Sequence, residues 1–221
     1  MNIIVAACKN KGIGLNNKLP WKLKKEMNIF ANLTKGNGKN AVIMGKNTWY
    51  SLPKALPKRD NFVVSKTIYE RKKKIRSQIP LVFYDNFIFK ESYEDLYKNG
   101  LLNQYENKWI IGGGQFYDNI IHHENTQAIY YTDIDEEYKC DTFFPEIPDH
   151  YDKIYETKDI YDNDTKFRIK IYRNNSFYQP FLNKNLIDNL NTALDKVGGQ
   201  NLKNVNEQQW YGYSHRPYKS K

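Results

Sequence analysis

Two stretches do most to limit what this chain can fold into: VIMGKNTW (residues 42–49) and WIIGGGQFY (residues 109–117). Each runs from a short apolar segment rich in β-branched residues, through glycine, into a helix-forming segment. A strand that is apolar on every residue is buried on both faces, and such strands belong to parallel sheets covered by helices. Similar runs stand at NIIVAAC (Asn2–Cys8), NFVVSK (61–66) and PLVFY (80–84), with AIYYTDI (Ala128–Ile134) and KFRIKIYRN (166–174) as the last two clear strands. Helical spacing recurs at Leu23, Met27, Phe30 and Leu33. SYEDLYKNGLL (92–102) reads as a helix with Ser92 as N-cap and Asp95 in its acidic first turn. The alternation predicts an α/β fold, a single domain whose central, mostly parallel β-sheet is flanked by helices.

Composition excludes several classes. At 221 residues, 40% hydrophobic and 15% aromatic, the chain has enough apolar material for a core. No apolar run approaches the roughly 20 residues of a membrane span, and MNIIVAACKNKGIG makes a poor signal peptide. Cys8 and Cys140 cannot form a disulfide framework and lack metal-ligand spacing, so a reducing cytoplasm is expected. Cys8 reads as packing. His122 and His123 read as surface residues without ligand partners. The net charge of +9 suits nucleic acid, phosphorylated ligands or polycarboxylates, and does not choose among them.

The chemistry gathers at three places. One acid, Glu26, stands among lysines and apolar residues in LNNKLPWKLKKEMNIF (15–30), where it is either a solvated helix residue or a proton-handling group in an apolar cleft. At the two glycine junctions, the first N–H groups of the following helix can face an anion, and two converging junctions can hold a pyrophosphate. Neither is a G-x-G-x-x-G fingerprint, and no acid is set to bind a ribose hydroxyl.

Five motifs, IVAACKNKGIGLNNKLPW, VIMGKNTWYSL, LPKRDNFVVSK, WIIGGGQFY and YYTDID…CDTFFP, follow one another as in dihydrofolate reductases. The chain resembles that family over residues 1–175. The resemblance implies an enzyme that passes a hydride from NADPH to dihydrofolate and adds a proton at N5. Glu26 is then the ionisable group of the pterin pocket. It accepts a charge-assisted pair of hydrogen bonds and is raised in pKa by burial among Met27, Phe30 and Ile111. Thr132 matches the threonine that bonds this acid, and Trp21 the indole that helps hold a water. Ile4, Val5 and Ala6 would line the pterin. Phe30, Leu52 and Leu56 would enclose the aminobenzoyl ring, and Arg59 would clamp the glutamate carboxylate as a planar fork.

For the cofactor, the resemblance implies Lys46 and Thr48 at one helix start and Gly113, Gly114, Gln115 and Phe116 at the other. Ser65 and Lys66, a hydroxyl and a cation with no acid, would take the 2′-phosphate, and Ala6, Ile13, Ile111 and Tyr117 would border the nicotinamide. Asp141 and Thr142 resemble the loop that supports closure of the segment 12–23. Where many relatives have proline before the acid, this chain has KLKK, so that helix start is expected to be looser. ERKKKIRSQ (70–78) reads as a basic loop near the adenosine end.

Residues 176–221 form a C-terminal extension, with one amphipathic helix (Leu182, Leu186, Leu190, Leu194) stopped at Gly198-Gly199 and then a polar tail. Its leucine stripe can pack on its own domain or on a second copy, with a partner such as a thymidylate synthase ranked behind. Its removal is expected to leave the hydride chemistry intact. Two alternatives stand beside the reductase: a pyrimidine-type reductase of riboflavin synthesis, which should lack Glu26, Trp21 and Arg59 together, and a non-catalytic basic relative that binds nucleic acid.

Overall fold

The computed structural model describes residues 1–78, 86–98, 100–176 and 184–198. Strand β1 (Asn2–Cys8) and a short β2 (Gly12–Gly14) lead to helix α1 (Lys24–Lys35). β3 (Asn40–Gly45) runs straight into α2 (Lys46–Ser51), and β4 (Asp60–Val64) precedes α3 (Lys66–Gln78). β5 (Phe87–Lys90), α4 (Glu94–Tyr97), β6 (Asn107–Ile110), α5 (Gly114–Ile120) and β7 (Ala128–Ile134) follow. Four further strands, β8 (Thr142–Phe143), β9 (Tyr151–Glu156), β10 (Ile160–Asp162) and β11 (Thr165–Asn174), come before α6 (Lys184–Asp195).

Among the described residues the main sheet has nine strands in the order β10-β11-β7-β1-β6-β3-β4-β5, with β9 pairing β11 off that path. From β7 to β5 all pairings are parallel. β11 joins β7, β9 and β10 antiparallel, so the sheet is mostly parallel, as its doubly buried strands require. β2 and β8 form a separate antiparallel pair.

Side chains of β1 alternate between two cores. Ile4 and Cys8 face a cluster with Trp21, Ile29, Leu33, Met44 and Trp109. Ile3, Val5 and Ala7 face the other, with Ile43, Phe62, Ile110 and Tyr117. Leu190, Ala193, Leu194 and Val197 of the C-terminal segment join the first cluster beside Ile29 and Leu33 of α1. Lys196 Nζ donates to Asn32 Oδ1 at 3.0 Å. The described part of the leucine stripe therefore packs on its own chain, and each leucine buried there contributes about 2 kcal/mol. The helix ends at Asp195, short of the glycine pair, and Leu182 lies outside the described residues.

Several expectations change. ERKKKIRSQ is helical, within α3, because Lys, Arg, Glu and Gln are good helix formers and the buried Ile68 anchors the first turn. The strand expected at PLVFY lies outside the described residues. Ser92 and Asp95 do form a reciprocal cap: the Asp95 amide donates to Ser92 Oγ at 3.3 Å and the Ser92 amide to Asp95 Oδ2 at 3.2 Å. The helix beyond is one turn, and Gly100 at φ 61° separates it from a 3-10 turn, Leu101–Gln104. His122 is exposed, but His123 is half-buried against Tyr93 and Tyr97.

Candidate active site

Helix α1 sets the site. Leu23 stays extended, so the helix begins at Lys24 and turns Glu26, Ile29 and Leu33 inward. Met27 points outward at 45% exposure and does not wall the acid as expected, since the stripe is shifted from the one that starts at Leu23. Glu26 itself is 6% exposed. Its carboxyl is pushed up to about 7, first by burial and then by the neighbouring Asp162. The solvated-residue reading of Glu26 is thereby excluded.

Ile4, Trp21 and the half-buried Ala6, Phe30, Leu52, Leu56 and Ile111 all border the cluster on this face of the sheet. Val5 does not: strand alternation sends its side chain to the opposite core, so it can offer the site backbone alone. Thr132 is buried on β7 in register with Ala6. Among the described residues no hydrogen bond joins it to Glu26, and the acid's proton affinity follows from desolvation and Asp162 instead. Trp21 Nε1 is buried without a hydrogen-bond partner among the described residues.

Arg59 is half-buried and held from two sides. Its Nη1 donates to Thr34 Oγ1 at 2.5 Å and its Nε to the Pro57 carbonyl at 3.1 Å. The guanidinium lies 6.0 Å from the Phe30 ring centroid. Burial lowers its pKa to about 10, so it stays charged at neutral pH. No carboxylate pairs with it among the described residues, which leaves a preorganised cation beside Phe30.

The two glycine junctions meet. The Gly45 amide donates to the Gly112 carbonyl at 2.8 Å. A Cβ on Gly112 would come within 2.9 Å of Thr48 Oγ1, and Gly112 has φ 129°, a conformation that glycine tolerates and side chains rarely adopt. A Cβ on Gly114 would strike Thr142 Cγ2 at 2.9 Å and the Phe143 carbonyl at 3.0 Å, with Ile13 Cδ1 at 3.9 Å. Neither α2 nor α5 has a side-chain cap, so their first N–H groups are open to an anion. Lys46 and Gln115 are exposed beside them, Thr48 and Phe116 half-buried.

Tyr117 is less a border than a support. It is 3% exposed, and its hydroxyl donates to the Ile4 carbonyl at 2.7 Å. Burial, and after it the charge of Glu26, raises its phenol pKa. Ser65 and Lys66 stand where β4 ends, but Glu91 lies 3.8 Å from Lys66 Nζ, so the expected absence of an acid there is corrected. The pair is exposed and weak.

The loop after β1 is held by its expected partner. Asp141 Oδ2 accepts the Asn16 amide at 2.7 Å and the Asp141 amide donates to the Gly14 carbonyl at 2.9 Å. Thr142 Oγ1 donates to Asp141 Oδ1 at 2.9 Å. Sequence reasoning missed two features nearby. Cys140 Sγ lies 3.8 Å from Cys8 Sγ, both thiols being free. Asp162 reaches the start of α1 from β10, 137 residues further along the chain, and no local pattern signals such a contact.

The chain matches a family model described as dihydrofolate reductase over residues 1–175. It is 34% identical over 189 residues to a dihydrofolate reductase of Drosophila melanogaster, covering 79% of this chain and 98% of that one. A dihydrofolate reductase of Heliothis virescens is 38% identical over 157 residues, 66% of this chain and 80% of its own. A bifunctional dihydrofolate reductase-thymidylate synthase of Daucus carota is 32% identical over 154 residues, 65% of this chain and 28% of its own.

Proposed function

This chain belongs to the dihydrofolate reductase family, and on that premise we propose that it reduces 7,8-dihydrofolate to 5,6,7,8-tetrahydrofolate with NADPH. The observation that carries the reading is Glu26 buried on α1 with the half-buried Arg59 bonded to Thr34 of the same helix and, among the described residues, paired with no carboxylate. One suits a flat heterocycle with N–H donors, the other a carboxylate tail.

In this reading Glu26 grips the pterin N3 and 2-amino group through paired hydrogen bonds. With its pKa pushed up to about 7 by burial, it can hold a proton towards neutral pH and take part in supplying the one destined for N5. Trp21 offers its buried N–H to a water beside the acid, and Thr132 closes the pocket behind it. Ile4, Ala6, Phe30, Leu52, Leu56 and Ile111 supply apolar walls, and Arg59 binds the glutamate carboxylate as a fork.

The residues present suit a nicotinamide dinucleotide. Gly112 leaves a cradle that a side chain would fill, and two adjoining uncapped helix starts face it. Lys46, Thr48, Gly113, Gly114, Gln115 and Phe116 would hold the pyrophosphate, and Ser65 with Lys66 a 2′-phosphate. Ala6 and Ile13 would border the nicotinamide, with Tyr117 fixing β1 beneath it. NADPH, when bound, supplies the hydride. The Asp141 contacts to Gly14 and Asn16 would keep the overlying loop closed and water out.

Tetrahydrofolate made here would feed one-carbon and thymidylate metabolism, and the bifunctional carrot relative supports a link to a thymidylate synthase. Two unpaired thiols suit a reducing cytoplasm. Among the described residues no helix is long and apolar enough to cross a membrane.

The test is dihydrofolate-dependent loss of NADPH absorbance by the full chain, with NADH and a riboflavin-pathway pyrimidine as competing substrates. Turnover with dihydrofolate and NADPH is expected. Turnover with the pyrimidine alone, or nucleic-acid retention without any turnover, would overturn the reading.

A further inference from the structure

Helix α1 begins with a defect. Its N-cap position is Leu23, which has no side chain able to accept the first amides, and the acid of the site stands in that first turn. The missing acceptor arrives from β10. Asp162 Oδ2 accepts the Lys25 amide at 2.6 Å, across 137 residues of chain. Asp162 is itself 5% exposed.

The mounting of Asp162 is rigid. It ends β10 in register with Thr165 of β11, with Asn163 at φ 54° in the connecting turn. Ile160 and Phe167 of the same hairpin sit in the core that holds Ile29 and Leu33 of α1. The start expected to be loose, KLKK, is therefore pinned.

We propose that Asp162 is a positioning residue for Glu26: it caps the helix that carries the acid and sets a fixed second carboxylate beside it. This inference rests on reading Glu26 as the folate-facing acid. The cap aims Glu26 into the cleft, and the added negative charge keeps the proton on Glu26 towards neutral pH.

Other charged groups around α1 do not take this part. Lys22 and Lys24 are exposed, and Lys25 is half-buried with its amide, not its ammonium, turned to Asp162. β3 carries no titratable side chain. On and beside α6, Asp188 and Asp195 are exposed, and Lys196 bonds Asn32 towards the other end of α1. Tyr161 of β10 is exposed, and Tyr117 of α5 spends its hydroxyl on Ile4.

The experiment uses the full chain and the variants Asp162→Asn, which keeps an acceptor for the Lys25 amide without the charge, Asp162→Ser, which also lacks the charge, and Asp162→Ala, which keeps neither. The Glu26 carboxyl is titrated directly by carbon NMR in the free protein, and kcat/KM for dihydrofolate is followed with pH at saturating NADPH. In Asp162→Asn and Asp162→Ser both midpoints are expected to fall by about half a pH unit or more. Asp162→Ala is expected in addition to raise KM for dihydrofolate about fivefold while KM for NADPH holds. A Glu26 midpoint unchanged in both charge-free variants would overturn the proposal, as would equal rises in both KM values for Asp162→Ala. Should the wild type fail to turn over dihydrofolate, the family-based reading fails, while the NMR midpoints still decide whether Asp162 governs Glu26.

Discussion

Replacing Glu26 by Gln tests the burial argument through stability rather than turnover. The carboxyl titrates at about 7 in the fold and at its ordinary 4.5 when exposed. Between these values the unfolded chain has released the proton that the native chain still holds, so native stability falls as pH rises. The slope is about 1.4 kcal/mol per pH unit, and the loss across the window comes to about 3 kcal/mol. Below pH 4.5 neither state is charged at this position; above about pH 7 both are, and the loss stays constant. The amide never ionises, so its stability lacks this slope. Urea unfolding of both proteins, followed by tryptophan fluorescence from pH 4.5 to about 8, gives the difference directly. Any fixed change in hydrogen bonding shifts the whole difference curve and leaves its slope alone. The wild type is expected to lose ground to Glu26→Gln by about 3 kcal/mol between those pH values and no further above them. A difference that is flat with pH would refute the claim that Glu26 is buried at a cost.

Two further outcomes follow from the site and its support. Arg59→Lys loses the planar fork while keeping charge, so KM for dihydrofolate should rise about tenfold or more in steady-state assays, with KM for NADPH unchanged; equal effects on both would argue against a role at the substrate tail. Leu194→Ala should lower unfolding stability by about 3 kcal/mol in urea, because Leu194 is fully buried against the cluster that includes Leu33. Removal of the extension is accordingly expected to cost the core stability.

The parts legible in the sequence are those written in local pattern. Doubly apolar strands ending in glycine announced the parallel sheet and the two junctions, and Glu26 stood out as an acid in an apolar setting. What escaped has tertiary causes. Met27 fits a helical stripe counted from Leu23, yet Leu23 is extended, and one residue of displacement turns Met27 to solvent. Val5 looks like its neighbours until strand alternation assigns it to the other core. The basic run before residue 79 hid a helix because charged residues that favour helices leave no apolar rhythm. Asp162 sits in a short hairpin whose sequence carries no trace of the amide it meets.

The place of β1 at the middle of the sheet has a bearing on how the protein is made. Asn2 lies in register with Trp109 on one side and Ala128 on the other. Both partners of β1 come well after it in the sequence, so its two edges stay bare until β6 and β7 are in place. Contacts so far apart in sequence make the completion of the central strand slow, and they tie the middle of the sheet to the folding of the whole domain.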